Sequence, residues 1–250
     1  MSGHSHWSGI KHKKAANDAK RGKVWSKVAR LIIVAARAGG GDPSANLSLR
    51  YAIDKAKAAN MPKDTIEKAI KKGTGELGGQ NFEEVLYEGY GPAGVAIMIE
   101  ALTDNRHRTA PEVKKIFERR GCSMGTSGCV NWMFNKKGLI TVNRTDADED
   151  DLMEMALSAG AEDMTTQADV YEITCDPSAY EGLKNALQEK NIPVQVAEIS
   201  MLPQNSIAVS DPETARKVIA LMEDLEDHED VQNVYANFDI PDDIMTQLST

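Results

Sequence analysis

The 250-residue sequence predicts an α+β protein, with an N-terminal three-helix bundle followed by two α/β domains, one discontinuous and one ferredoxin-like. Three observations carry this expectation. The first 80 residues show only helical periodicity, whereas short apolar runs alternate with helical stretches from there on. A glycine-rich segment, Gly73 to Gly79, separates the two regimes. Charge is segregated along the chain: +10 over residues 1–80, +2 over 81–144 and −21 over 145–250, for a net charge of −9.

In the first region Val24, Val28, Leu31, Ile32 and Ala35 recur at helical spacing, and Gly39-Gly40-Gly41-Asp42-Pro43 stops that helix. A second helix is expected from about Ala45 to Asn60, with Ala52, Ile53, Ala56 and Ala59 on one face and Met61-Pro62 as its break. A third, from about Lys63 to Lys72, turns Ile66, Ala69 and Ile70 inward and ends at Gly73. Beyond the linker, strands are expected at Val85–Glu88, Val95–Leu102 and Val130–Phe134, with a helix at about Thr109–Arg120.

A further strand, Leu139–Val142, opens a new unit. A helix face of Leu152, Met155, Ala156 and Ala159 follows, then strands near Asp163–Thr166 and Val170–Thr174. Asp176-Pro177 reads as N-cap and first position of a helix carrying Tyr180, Leu183 and Leu187, and Val194–Ile199 closes the unit. The order β-α-β-β-α-β is that of the ferredoxin-like split unit. After Pro203 come a strand at Ile207–Val209, a capping box Ser210-x-x-Glu213 opening a helix, and a last strand at Val231–Phe238. This tail is too small for a domain and is expected to complete the sheet begun earlier. The expected domains are therefore 1–79 (basic, helical), 80–135 plus 204–250 (discontinuous α/β) and 136–203 (ferredoxin-like).

Composition narrows the function. The longest apolar run, Leu31 to Ala36, is far short of the roughly 20 residues that span a bilayer. No apolar h-region marks a secretory signal, so a cytoplasmic protein without a membrane partner is expected. Cys122, Cys129 and Cys175 form neither a C-x-x-C pair nor an even set, which argues against a disulfide framework or zinc knuckle. Two literal G-x-G-x-x-G matches, at Gly73 and Gly89, lack the strand-then-helix context that lets a helix N-terminus hold pyrophosphate, and turns explain them. With Met1 removed, Ser2-Gly3-His4 would place an imidazole third from a free amine, the spacing of a square-planar copper or nickel ligand set, for which chance is the simpler explanation. Gly125-Thr126-Ser127-Gly128 offers hydroxyls in a glycine loop where an anion could sit, set against the simpler reading of a surface turn. No nucleophile elbow, H-E-x-x-H or Walker lysine is present. The expectation is a non-enzyme with no catalytic residue, metal or cofactor. Its oligomeric state is not specified, and a monomer suffices.

The strongest signal is basic. Lys11, His12, Lys13 and Lys14 form a cluster, and Lys20, Arg21, Lys23, Lys27, Arg30 and Arg37 follow on the first long helix. At 100° per residue, Lys20, Lys23, Lys27, Arg30 and Arg37 lie within an arc of roughly 100°, beside the apolar arc. Only Asp18 is negative between Lys11 and Arg37, unlike an ordinary solvated face, where acids are interspersed. Trp7 and Trp25 flank the cluster, placed either to stack on bases or to pack in a core. Phosphate contact at this end of the chain is the favoured reading. Asn105, Arg106 and Arg108, at a strand-to-helix junction, form a second candidate anion site, set against ordinary helix initiation.

The runs Gly3-His4-Ser5-His6-Trp7, Ile10-Lys11-His12-Lys13-Lys14-Ala15-Ala16, Asp18-Ala19-Lys20-Arg21-Gly22-Lys23, Asn60-Met61-Pro62-Lys63-Asp64, Tyr87-Glu88-Gly89-Tyr90-Gly91-Pro92, Leu102-Thr103-Asp104-Asn105-Arg106, Gly125-Thr126-Ser127-Gly128 and Val231-Gln232-Asn233-Val234-Tyr235-Ala236-Asn237-Phe238 make the chain similar, over essentially its whole length, to the YebC family and its mitochondrial translational-activator relatives. The resemblance implies three domains with the middle one discontinuous, and a cytoplasmic DNA-binding transcriptional regulator. It also implies an alternative, a ribosome- or RNA-associated translation factor that relieves stalling or activates translation. His6 stands where the family usually has lysine, Leu31 where an acid is common, and Cys122 and Cys129 where small residues are usual. None of these removes the basic stripe.

Overall fold

The computed structural model describes residues 18–78, 81–167 and 169–249. Three helices open it: α1 (Asp18–Gly39), α2 (Leu47–Ala58) and α3 (Lys63–Gly73). Their small inward residues allow close approach, and Val28, Ile32, Ile33, Leu49, Ala52, Ala56, Ile66 and Ala69 form one buried cluster. Asn46 ties the first two together. Its side-chain oxygen caps α2 by accepting from Leu49 N (3.1 Å), while its amide donates to Ala35 O (2.8 Å) and Gly40 O (2.9 Å). At Gly73 a Cβ would sit 2.6 Å from Ile33 O and 2.7 Å from Ala36 Cβ, so the end of α3 lies directly on α1.

Two four-stranded antiparallel sheets follow. Strands β1 (Glu83–Tyr90) and β2 (Ala96–Thr103) form a hairpin, and α4 (Arg106–Arg119) leads to the short edge strand β3 (Ser123–Met124). The chain then builds a complete second unit: β4 (Phe134–Asn143), α5 (Glu149–Ser158), β5 (Ala161–Thr166), β6 (Val170–Cys175), α6 (Tyr180–Glu189) and β7 (Val196–Pro203). It returns through β8 (Ile207–Ala208), α7 (Pro212–Glu226), β9 (Val231–Ala236), β10 (Phe238–Asp239) and α8 (Asp242–Ser249). The first sheet has the order β3-β1-β2-β9, so the tail supplies its outer strand. Ile97, Ile99, Val113 and Phe117 share one core with Val218, Leu221, Met222 and Leu225. The second sheet has the order β5-β6-β4-β7, the ferredoxin-like arrangement, over a core of Ile140, Val142, Leu152, Ile173, Leu183 and Leu187. The α+β class is thus the observed one.

Three local expectations are corrected. Val130–Phe134 is not a strand: Asn131–Met133 is a 3-10 turn and β4 begins at Phe134. The cause is the buried Glu88 carboxylate, which accepts from Val130 N (2.6 Å) and Asn131 N (2.8 Å) and takes those amides out of any ladder. Asp176 does not cap a helix. It closes a turn on Ser178 (N at 2.9 Å, Oγ at 2.6 Å), and α6 starts at Tyr180. The expected Ser210 box is displaced by one residue: Pro212 takes the first helical position, so Asp211 is the N-cap and accepts from Thr214 N at 2.8 Å.

Candidate nucleic-acid interface

Lys23, Lys27 and Arg30 recur at i, i+4 and i+7 on α1, so they project in a row. All three reach residues 226–230, at and after the end of α7. Lys23 Nζ lies 2.7 Å from Asp227 Oδ2, and Lys27 Nζ donates to the Glu226 carbonyl. Arg30 Nη1 donates to Glu229 O at 2.6 Å and to Asp230 Oδ1 at 2.7 Å. The acidic run Glu223-Asp224-Leu225-Glu226-Asp227-His228-Glu229-Asp230 therefore lays its C-terminal end along the basic helix. Arg30 also stands over the Phe82 ring, 5.6 Å from its centroid.

Commitment to this contact is graded along the row. The Lys23–Asp227 pair is solvent-exposed on both sides, whereas the Arg30–Asp230 pair is largely buried, with the Asp230 side chain 3% exposed. Exposed pairs contribute only about 0–1 kcal/mol, while removing one partner of a buried pair costs about 3–5 kcal/mol. Asp230 is a hub. Its other oxygen accepts from Thr109 Oγ1 (2.6 Å), Arg108 Nη2 (2.7 Å) and Thr103 Oγ1 (3.2 Å). Burial pushes its pKa up, but the Thr109 and Arg108 hydrogen bonds and the nearby Arg30 charge outweigh this and hold it below the usual carboxylate value.

The second candidate site lies in the same node. The Asn105 side chain caps α4 by accepting from His107 N (3.1 Å) and Arg108 N (3.2 Å), taking up amides that an anion would use. Arg108 also reaches Asp104 at 3.1 Å, and Arg106 is exposed, 4.0 Å from Glu83. An open cleft of ≈ 620 Å³ borders the node, lined by Arg30, Arg108, Lys115 and Arg119 together with Asp104 and Glu112.

Arg37, beyond this contact, is exposed, and the seating of Gly73 on α1 brings Lys71 and Lys72 to the same end of the bundle. Arg37, Lys68, Lys71 and Lys72 are exposed and form no ion pair among the described residues. Lys11, His12, Lys13, Lys14, Trp7 and the Ser2-Gly3-His4 group lie outside the described residues, as do the side chains of Lys20 and Arg21. Trp25 belongs to the helical core, its indole N–H donating to Ala59 O at 2.9 Å. The three cysteines are free thiols, and no group of His, Cys, Asp or Glu among the described residues is placed to hold a metal ion. No described helix is long and apolar enough to cross a membrane.

Sequence reasoning missed the 226–230 segment and Asp230. The signal was present as an acidic run opposite in sign to the stripe, but their pairing spans about 200 residues and only the fold brings them together.

Comparison with known proteins covers nearly the whole chain. Residues 5–76 match the family model described as the TACO1/YebC protein N-terminal domain, and residues 82–238 match the model for the TACO1/YebC second and third domain. The chain is 53% identical over 251 residues to a protein of Halothermothrix orenii named "Probable transcriptional regulatory protein", covering 100% of this chain and 99% of that one. A Geobacter sulfurreducens protein with the same description is 53% identical over 248 residues, covering 99% of this chain and 100% of the other. A crystal structure of a conserved hypothetical protein from Aquifex aeolicus superposes with a TM-score of 0.83 at 49% identity, covering 95% of this chain and 98% of that one.

Proposed function

This chain belongs to the TACO1/YebC family, and we propose that it is a non-enzymatic, cytoplasmic regulator of gene expression that binds nucleic acid through the basic face of α1. The observation that carries this reading is the row Lys23, Lys27, Arg30, in which every cation already holds an anionic or carbonyl oxygen of the 226–230 segment. A face that grips carboxylate and carbonyl oxygens in sequence has the chemistry to grip phosphate oxygens. Lys23 exchanges its carboxylate for phosphate, because an exposed ion pair is held weakly, and half-buried Lys27 exchanges the uncharged Glu226 carbonyl for a charged phosphate oxygen. Arg30 stays on buried Asp230 and keeps the helix oriented. Lys20, Arg21 and the cluster from Lys11 to Lys14 extend the phosphate track, with Arg37, Lys71 and Lys72 beyond it.

The names carried by relatives support transcription, and so DNA, as the setting. A second reading, an RNA- or ribosome-bound translation factor, is favoured by one feature of α1. Lys23, Lys27 and Arg30 are spent sideways on the protein's own tail, whereas a major-groove reader presents base-contacting side chains at an open helix N-terminus. Crosslinking in cells followed by sequencing separates the two, using wild type and the Lys23→Gln, Lys27→Gln variant. Enriched promoter DNA lost in the variant supports transcription, and enriched ribosomal RNA lost in the variant supports translation. If neither nucleic acid depends on the two lysines, the proposed interface is wrong.

A further inference from the structure

The loop after β3 carries a second surface that the basic helix does not explain. Trp132 is 63% exposed and Tyr90, at the end of β1, is 38% exposed. Both rings are aimed by one atom: the Cys129 carbonyl accepts from Tyr90 OH (3.1 Å) and from Trp132 Nε1 (3.1 Å). An exposed tryptophan usually rotates freely, but this one sits on a braced loop. Glu88, buried beneath it, accepts from Gly128 N (2.6 Å), Val130 N (2.6 Å) and Asn131 N (2.8 Å), and Gln204 Nε2 donates to Trp132 O at 3.0 Å. Two apolar faces are thus presented to solvent with their polar edges already satisfied by the protein.

The surroundings indicate what the rings meet. Residues 121–137 and 203–210 contain no Asp or Glu, although the chain has 38 of them. The exposed polar residues here include the amides Asn131, Asn135, Gln204 and Asn205, the hydroxyls Thr126, Ser127 and Ser206, and one cation, Lys136. Base edges are read by groups that both donate and accept hydrogen bonds, base faces by aromatic rings, and the adjoining phosphate by lysine. We propose that the Tyr90–Trp132 surface is a stacking site for one or two unpaired nucleobases, selective for single-stranded over duplex nucleic acid. This rests on the nucleic-acid reading above and adds a contact that phosphate binding does not supply.

The test uses the full chain and a fluorescein-labelled single-stranded dodecamer, with the duplex of the same sequence alongside. Anisotropy titrations at several salt concentrations compare wild type, Trp132→Ala, Trp132→Phe and the Lys23→Gln, Lys27→Gln variant. Trp132→Ala is expected to weaken single-strand binding by about five- to a hundredfold, leaving duplex binding and the salt slope unchanged. Trp132→Phe is expected to retain most of the affinity, since a ring still stacks and the loop's own bonds are otherwise intact. Unchanged single-strand binding by Trp132→Ala overturns the proposal and leaves the surface to a protein partner. An equal loss on duplex and single strand also overturns it, since stacking on unpaired bases is then not what the ring does. If wild type binds neither probe, the proposed function fails as well, so the two failures are distinguishable.

Discussion

Asp230, in the turn before β9, and Glu172, in the middle of β6, are both almost fully buried carboxylates, and the protein treats them in opposite ways. Asp230 faces the basic helix and receives Arg30, Arg108 and two threonine hydroxyls. Its pKa is held low, so it stays ionised. Glu172 lies in the acidic second sheet, where its Oε2 makes no hydrogen bond among the described residues. Burial, with Asp163 adding to it, pushes its pKa up to about 7. The difference shows where the chain's positive charge is used. Arg30 of α1 and Arg108 of α4 keep one buried acid ionised at the junction, and no ion pair to Glu172 forms among the described residues.

Removing the hub gives the largest effect. Asp230→Ala leaves Arg30 and Arg108 without the buried carboxylate they share, and is expected to cost about 3 kcal/mol or more, read as a lower denaturant midpoint. A loss below about 1 kcal/mol would mean that the hub is incidental to docking of the helices.

Glu172→Gln is expected to act in the other direction, and only at higher pH. Below the ordinary glutamate value of 4.5 the carboxyl is protonated whether folded or unfolded, so it imposes no penalty. Between 4.5 and about 7 the unfolded chain ionises while the folded one keeps its proton, and the penalty grows to roughly 3 kcal/mol. Glutamine removes that penalty, so the variant should melt several degrees above wild type at pH 8 and close to it at pH 4.5. Asp230 has the reverse dependence. Its stabilisation is present above its ordinary value of 3.8 and is lost as the pH falls through the lowered folded value. The two windows do not overlap, so a stability profile from pH 2 to 8 resolves them, and Asp230→Asn should flatten only the acid end.

The elements themselves were legible because their signals are local. The three helices follow from Val28, Ile32, Ala52, Ala56, Ile66 and Ala69, and the ferredoxin-like order follows from alternating runs such as Leu139–Val142. Two of the three misplaced features share a physical cause, a polar side chain that took backbone amides from the pattern, while Pro212 displaced the third. Glu88 removes Val130 and Asn131 from a strand, and its partners lie about 40 residues away. The candidate cations were visible as a single-sign run, but their occupancy was not, since Asp227 and Asp230 are about 200 residues distant. Trp132 carried no sequence signal beyond its residue type. Its exposure depends on Glu88 and Cys129 holding the loop.

The smallest effect expected is the most direct test of exchange between the acidic turn and phosphate. Affinities for duplex DNA and the matching RNA would be measured at low and high salt for wild type, for Asp227→Asn with Glu229→Gln, and for Glu213→Gln as a remote control of like sign. Neutralising the turn should tighten binding about two- to tenfold at low salt, more than the control does, with the gain shrinking as salt rises. The Lys23→Gln, Lys27→Gln variant should lower the salt slope by about two units. Equal gains from the turn and the control variants, with an unchanged slope in the lysine variant, would contradict exchange and leave the Lys23–Lys27–Arg30 row as a purely structural contact.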